Sequence, residues 1–546
     1  MFYITTPLPY VNGEPHLGHL LEHIFTDTIR RYRQRVETQE VFLQYGVDQH
    51  GLKIFQKALE LNQKPEEFVA QKSLEFQKIW ESYNCQCDAF VETNSQNHKL
   101  LTDIVFRRLL TKNLIYKKSY NGLYCIGCED FYVQSQLDTN GNCPIHLNKP
   151  IEMNEENYFF RLSAFETQVR EYLNYAKAKN LVEPGVDEWI NFMSQGLSDI
   201  SMSREKARMP WGIEMFLPDG TDTEQVMYVW FEALQNYWTA LVNPETFDKW
   251  REMPELRAVV EEEILAEIGD GLPIDFMYLG KDIAKFHVII WTAMHFAMDL
   301  AGFERETTEQ LLEDAEIEEE IDPSEQLDLE ALKFSLLPQK TMVHGFINDA
   351  QGHKFSKSLN NGVLPKELFD QFGVDGTRFI MLHEVNLFGD TNFDLSRIIE
   401  SYNANLADNL GNVVMRVSTL IEKYFNGYVD VENVEVTKLD VDLVKVYKEL
   451  SSFYPQKSMQ ELFVQCAKVN AFLENTKPWS LAKDMGANGA EVKTILTQSA
   501  RVLIEIGKAL SIFMPESGAK IVETFEATKI VKAKVLFPKI VVEAKV

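Results

Sequence analysis

Apolar and polar positions along this chain fall into segments of different period. Phe2 to Thr6 is a continuous apolar run closed by a Pro/Gly turn, a helix is predicted from about His16 to Arg35, and Val41 to Tyr45 reads as a second short strand. That is a β-α-β unit, the opening of a parallel, doubly wound sheet. From Tyr116 to about Met215 the texture changes to short strands, turns and clustered cysteines, as in an insertion. Residues 216 to 300 return to strand–helix alternation, notably at Met227 to Glu232 and Phe276 to Leu279. Thr341 to Ile347 reads as a buried strand leading into a Gly/Lys/Ser loop. From about Ser396 to Ile521 glycine and proline thin out and apolar residues recur at helical spacing, which predicts an all-helical segment. No internal repeat or low-complexity tract interrupts the pattern.

Length divides this pattern into several bodies. At 546 residues the chain is past the size at which one hydrophobic core stops growing, so three or four domains are expected. The first residues lack a basic region, an apolar region and a small-residue cleavage site, so no secretory signal is read. The longest apolar stretch, Phe286 to Phe303, contains His287, His295 and Asp299 and is expected as a buried or amphipathic helix, not a membrane span. Six cysteines do not make a disulfide framework, and a cytoplasmic protein is expected, with no membrane partner.

Charge narrows the partners. A net charge of −28 argues against a non-specific nucleic-acid binder and against DNA, since phosphate contacts need lysine and arginine to displace counterions. Much of the acid lies in two stretches, Glu261 to Asp270 and Glu304 to Glu330, which are expected to be solvated insertions, so a localised RNA surface stays open.

Two loops carry candidate chemistry. His16-Leu17-Gly18-His19 stands where the first strand hands over to the first helix, and helix N-termini present unpaired N–H groups to anions. Two imidazoles three residues apart there would face a phosphate, and Gly18 would let a flat base approach the backbone; alone, the pair reads equally well as zinc ligands or exposed histidines. Lys354-Phe355-Ser356-Lys357-Ser358 brackets two ammonium groups with hydroxyls, suited to an anion that gains charge during reaction, though a solvated Lys/Ser loop is common. The chain has no Walker-type or G-x-G-x-x-G phosphate loop, so ATP needs another cradle, and these two loops supply one.

Together, in this order and more than 330 residues apart, the loops resemble the HIGH and KMSKS signatures of class I aminoacyl-tRNA synthetases, with Phe355 in place of methionine. The resemblance implies that His16, Gly18, His19, Lys354, Ser356, Lys357 and Ser358 bind ATP with its magnesium. In it, His16 and His19 stabilise charge at the α-phosphate while Lys354 and Lys357 hold the β- and γ-phosphates. It implies an α/β fold with a Rossmann-like parallel-sheet catalytic domain, a zinc-binding insertion and a C-terminal all-α anticodon-binding domain. The boundaries expected are 1–115 and 216–395 for the catalytic halves, 116–215 for the insertion and 396–546 for the helical domain and tail.

Cys125-Ile126-Gly127-Cys128 and Cys143-Pro144-Ile145-His146 are two knuckles with 14 residues between them, four ligands for one tetrahedral structural zinc; similar knuckles in the methionyl family usually carry cysteine where His146 stands. Cys85, Cys87 and Cys466 read as plain thiols. Resemblance to methionyl-family pocket motifs puts Leu8, Tyr10, Trp230, Ala233, Tyr237, His287 and Trp291 around a methionine side chain, with Asp48 on its ammonium group. Asn412, Arg416 and Trp479 fall at that family's anticodon-reading positions, an apt set for stacking on and hydrogen-bonding to unpaired bases. The resemblance thus implies ATP, L-methionine and both initiator and elongator tRNA(Met) as ligands. The chain closes soon after Leu536-Phe537-Pro538-Lys539-Ile540 without an appended oligonucleotide-binding module, so a monomer is expected. The rivals are a leucyl, isoleucyl, valyl or cysteinyl enzyme, a non-enzymatic tRNA-binding or zinc scaffold, and a small HIGH-type nucleotidyltransferase. The insertion of about 100 residues is short for branched-chain editing domains, both signature loops are intact, and a small nucleotidyltransferase needs no helical tail.

Overall fold

A computed structural model describes residues 1–125, 130–132, 134, 137–144, 148–300, 333–353, 355 and 362–541. The chain forms two compact units: Met1–Glu14, Val41–Gln77 and Cys87–Val343 in the first, and Pro15–Glu40, Lys78–Gln86 and His344–Val546 in the second.

The first unit is built on a six-stranded sheet in the order Ala89–Glu92, Val41–Val47, Phe2–Thr5, Phe276–Gly280, Thr341–His344, Val182–Glu183. Phe2 to Thr5 pairs in parallel with Val41 to Gln44 on one side, and Ile4 and Thr5 pair with Phe276 and Met277 on the other. The strand order reverses at Phe2–Thr5, and beyond the carboxyl ends of strands at such a switch point an open α/β sheet has a crevice. Phe2–Thr5 and Phe276–Gly280 are buried along their whole length, which is why they read as unbroken apolar runs and not as alternating ones.

Between these strands the segment Ile115–Phe160 makes a separate antiparallel sheet, its long strand Ile115–Cys125 paired with Ile151–Phe160 from Ile115↔Phe160 to Tyr124↔Ile151. Downstream of that segment Val182–Glu183 joins the parallel sheet beside Thr341 and Met342, so the region from 116 to 215 contributes to both sheets. Glu261 to Asp270 is not a solvated insertion. It belongs to the helix Arg257–Gly271, which buries Val260, Ile264, Leu265 and Ile268 in the core. Its acids face cations or polar groups: Arg107 Nη2 lies 2.9 Å from Glu261, Arg108 Nη1 3.2 Å from Glu262, and Thr246 donates to Glu267 at 2.7 Å. The acidic composition hid an i, i+4 apolar stripe. The other acidic stretch, Glu304 to Glu330, lies outside the described residues.

Two further expectations are modified. The apolar stretch from Phe286 is a π-helix, Phe286–Trp291, continuing as the α-helix Thr292–Met298. The strand expected over Thr341–Ile347 stops at His344 and resumes as Ile347–Asn348; between them Gly345 lies so close to the Gly389 backbone that a Cβ would meet it at 2.4 Å.

The second unit is helical. Its first helix, Leu17–Arg35, is buried on all sides from Leu20 to Ile29, with Leu17 and Tyr32 buried beyond that stretch. At its centre Arg378 is wholly buried: Nη2 lies 2.7 Å from Asp27 on that helix, and Nη1 donates to the Tyr83 carbonyl at 3.1 Å. Its Nε donates to the Phe513 carbonyl at the end of the long helix Met485–Phe513. A buried guanidinium survives only when its donors are matched this way. Among the described residues no helix is long and apolar enough to cross a membrane.

Candidate active site

Five of the expected positions follow the carboxyl ends of the first unit's central strands. Leu8 and Tyr10 follow Phe2–Thr5, Asp48 follows Val41–Val47, and His287 and Trp291 follow Phe276–Gly280. Gly46 makes this possible: a Cβ there would meet the Val91 carbonyl at 2.2 Å and Leu8 Cδ2 at 2.7 Å. The Asp48 N–H donates to the Pro9 carbonyl at 2.9 Å and its carbonyl accepts from Val11 at 3.1 Å, stitching the loop that carries Tyr10 to the loop that carries Asp48.

Two of the aromatic members touch. Tyr237 and Trp291 meet edge to face at 5.3 Å, and Trp230 lies flat on Phe286 at 4.1 Å with the planes 8° apart. His287 and Trp291 come from the π-helix, a form that recurs at functional sites because its extra residue per turn re-aims side chains. His287 Nδ1 lies 3.0 Å from the Ile283 carbonyl, which can only accept, so Nδ1 carries the hydrogen. Burial lowers the pKa of His287 to about 4 despite that bond, so near neutrality the ring is uncharged and its Nε2 accepts from the Tyr237 hydroxyl at 2.7 Å. The result is a buried, uncharged Tyr237–His287 pair beside Trp291, a wall suited to a polarisable apolar group and hostile to a charged one.

In the second unit, His16 caps the helix Leu17–Arg35. His16 Nδ1 accepts from the His19 N–H at 3.3 Å, while His19 Nδ1 accepts from the His16 N–H at 3.4 Å. This reciprocal capping box holds the rings stacked with centroids 3.5 Å apart. Backbone N–H groups only donate, so a neutral ring in this arrangement carries its hydrogen on Nε2, away from the helix. Burial, and then the neighbouring His16, His23 and His344, hold the pKa of His19 well below the usual histidine value, so its ring is uncharged near neutrality. Gly18 leaves room for the His16 ring: a Cβ there would meet it at 3.0 Å. The strand Ile347–Asn348 leads into a tight turn in which the Asp349 carboxylate accepts from the N–H groups of Gln351 and His353 at 3.0 and 2.8 Å. Lys354, Ser356, Lys357 and Ser358 follow and lie outside the described residues.

Of the zinc set, Cys125 and Cys143 are buried, while Cys128 and His146 lie outside the described residues. Cys85 and Cys466 are buried thiols whose pKa burial pushes up to about 12. In the helical region Arg416 and Trp479, 63 residues apart, come together with the guanidinium 4.9 Å above the indole and Nη2 2.7 Å from Glu474. Asn412 opens the helix that carries Arg416.

Several polar residues in these regions are ones a linear reading does not single out. Buried Arg204 lies 4.4 Å over Tyr228, next to the helix of Trp230. His344 Nε2 is 3.1 Å from Glu22 on the signature helix, and Glu232 sits between His50 and His98. Their partners are distant in sequence, and no spacing rule signals them.

The model of the family described as tRNA synthetases class I (M) matches residues 2–149 and 136–418, and this chain belongs to that family. Its similarity runs to the methionine members. It is 32% identical over 579 residues to the methionine–tRNA ligase of Caldanaerobacter subterraneus subsp. tengcongensis, covering 99% of this chain and 79% of the relative. It is 33% identical over 508 residues to that of a Nostoc species, covering 91% and 84%. The fold matches the crystal structure of Mycobacterium tuberculosis methionyl-tRNA synthetase bound by methionyl-adenylate with a TM-score of 0.77 and 26% identity, over 99% of each chain.

Proposed function

We propose that this protein is a methionine–tRNA ligase: it activates L-methionine with ATP to methionyl-adenylate and pyrophosphate, then passes the methionyl group to the 3′ end of tRNA(Met). The observation that carries the reading is the uncharged Tyr237–His287 pair packed on Trp291 beside the switch point of a parallel sheet. Leu8, Tyr10, Trp230, Ala233, Tyr237, His287 and Trp291 enclose the thioether, and Asp48 takes the ammonium group. The methionine carboxylate attacks the α-phosphorus and the bond to the bridging oxygen of pyrophosphate breaks. No protein nucleophile is needed, so rate comes from positioning and from charge stabilisation. His16 and His19, with Nε2–H donors set by their mutual caps, meet the α-phosphate; Lys354 and Lys357, with Ser356 and Ser358, hold the leaving pyrophosphate. Magnesium brought in with ATP would supply charge neutralisation at the phosphate oxygens.

Cys125, Cys128, Cys143 and His146 hold one structural zinc. Buried cysteines at the base of a small sheet suit such a role, since short β-rich segments rarely bury enough apolar surface to fold alone. Asn412, Arg416 and Trp479 read the anticodon, Trp479 as a stacking platform. The region 116–215 acts as the zinc-bearing insertion and 396–546 as the anticodon-binding part of a cytoplasmic monomer.

ATP–pyrophosphate exchange with all twenty amino acids tests the assignment. Methionine should stimulate exchange above every other; stronger stimulation by leucine, isoleucine or cysteine removes it. Elemental analysis should find one zinc per chain, lost in a Cys125→Ser, Cys128→Ser double variant.

A further inference from the structure

Behind the first unit's aromatic wall lies an ionic cluster. The Glu232 carboxylate is wholly buried, in the short helix Val229–Ala233 that also carries Trp230 and Ala233. His50 Nδ1 lies 2.9 Å from one of its oxygens and His98 Nε2 2.9 Å from the other. His98 is held in turn by Thr239 at 2.8 Å, and both histidines are buried. Burial opposes a charged carboxylate here, but the two imidazoles outweigh it and hold Glu232 below its usual range.

His50 connects this cluster to the candidate ammonium site. Its own backbone N–H donates to Asp48 Oδ1 at 3.3 Å. The residues around it are pinned from other sides: Trp211 Nε1 donates to the Gln49 carbonyl at 2.6 Å, Gly51 N–H donates to the Trp211 carbonyl at 3.1 Å, and the Gln49 N–H donates to Thr93 Oγ1 at 2.9 Å. A bare carboxylate on one helix would cost several kcal/mol to bury for packing alone. A glutamate gripped by two imidazoles, one of which orients the next carboxylate along, has a use in orienting and polarising that carboxylate.

We propose that Glu232 is a positioning residue for amino-acid recognition: through His50 it fixes the Asp48 carboxylate against the α-ammonium group and adds a second buried negative charge that favours a cationic amine. The inference rests on the assignment of Asp48 above. It places no protein group beyond Asp48 on the substrate, and it makes the short helix serve both ends of methionine, the thioether through Trp230 and Ala233 and the ammonium through Glu232.

The test uses two methionine analogues as competitive inhibitors of methionine-dependent pyrophosphate exchange. Methioninol keeps the amine and lacks the carboxylate; 4-(methylthio)butanoic acid keeps the carboxylate and thioether and lacks the amine. Glu232→Gln preserves shape but replaces one accepting oxygen with a donor. It should weaken methioninol about tenfold, the scale of one lost buried charge-assisted hydrogen bond, and the desamino acid by less than about twofold. The KM for methionine should rise with it and that for ATP should not. His98→Gln, which loosens the clamp from its far side, should change the same inhibitor ratio in the same direction by a smaller factor, and it covers the case in which Glu232→Gln does not fold. Equal weakening of both analogues, or of neither, in either folded variant overturns the clamp. Asp48→Asn separates the two claims. If it leaves the inhibitor ratio at the wild-type value, the Asp48 assignment falls and the clamp with it; if it shifts the ratio while the Glu232 and His98 variants do not, the clamp alone falls.

Discussion

The first unit's pocket and the helical region's Arg416–Trp479 pair are both made of aromatic and polar side chains, yet they are built in opposite ways. In the pocket the paired polar groups are buried: Tyr237 with His287, His287 with the Ile283 carbonyl, Glu232 with His50 and His98. On the helices, Arg416 and Trp479 are partly exposed and paired with each other and, through Arg416, with exposed Glu474. The contrast follows from the ligands proposed for each. A small amino acid offers few atoms, so discrimination has to come from a desolvated, preorganised wall where one mismatched polar group costs about 1–3 kcal/mol. Unpaired RNA bases are large and bring their own stacking surface, so a half-open platform with a movable guanidinium suffices.

Four measurements break or sharpen that contrast. The largest effect should come from outside both regions. Lys357→Ala should slow adenylate formation on the order of 100-fold or more while leaving methionine binding close to wild type, because its charge is needed where negative charge develops; an unchanged single-turnover rate removes it from the mechanism. Next, Trp479→Ala should lower kcat/KM for tRNA by about 1–3 kcal/mol, roughly 5- to 150-fold, with pyrophosphate exchange near wild type. Early melting with both assays falling together would instead make Trp479 a packing residue.

Tyr237→Phe should act in the reverse sense, raising the KM for methionine about tenfold and leaving tRNA affinity alone, since it strips the donor from buried His287 Nε2. A KM within twofold of wild type would show that the pocket does not need the pair. The smallest effect is on stability against pH. Burial holds His23 at about 3, His287 at about 4 and His295 at about 3 in the folded chain. Unfolded histidines titrate near 6.5, so the unfolded chain binds more protons below that value, and the stability these groups lend is full above about pH 6.5 and lost as pH falls toward 4. The melting temperature should therefore drop over that window, less steeply in His295→Gln; a flat profile would contradict the burial of these rings in neutral form.

The pattern of residues along the chain was enough for the parallel sheet, the signature helix and the helical C-terminal region, because burial on one face or on both writes a period into the sequence: Phe2–Thr5 and Phe276–Gly280 are unbroken apolar runs, and Leu17–Arg35 repeats every three to four residues. It was misleading where composition overrode period, as at Glu261 to Asp270, whose charges mask the apolar stripe of a core helix. It could name Asp48, Tyr237 and His287 only by likeness to motifs, since nothing local says that a tyrosine on one helix will meet a histidine 50 residues later. The pairing of Tyr237 with His287, the clamp on Glu232 and the burial of Arg378 were decided by tertiary structure alone. Each depends on a hydrogen-bond partner from another segment, and in a buried site it is that partner, not the residue's own identity, that sets charge, orientation and use.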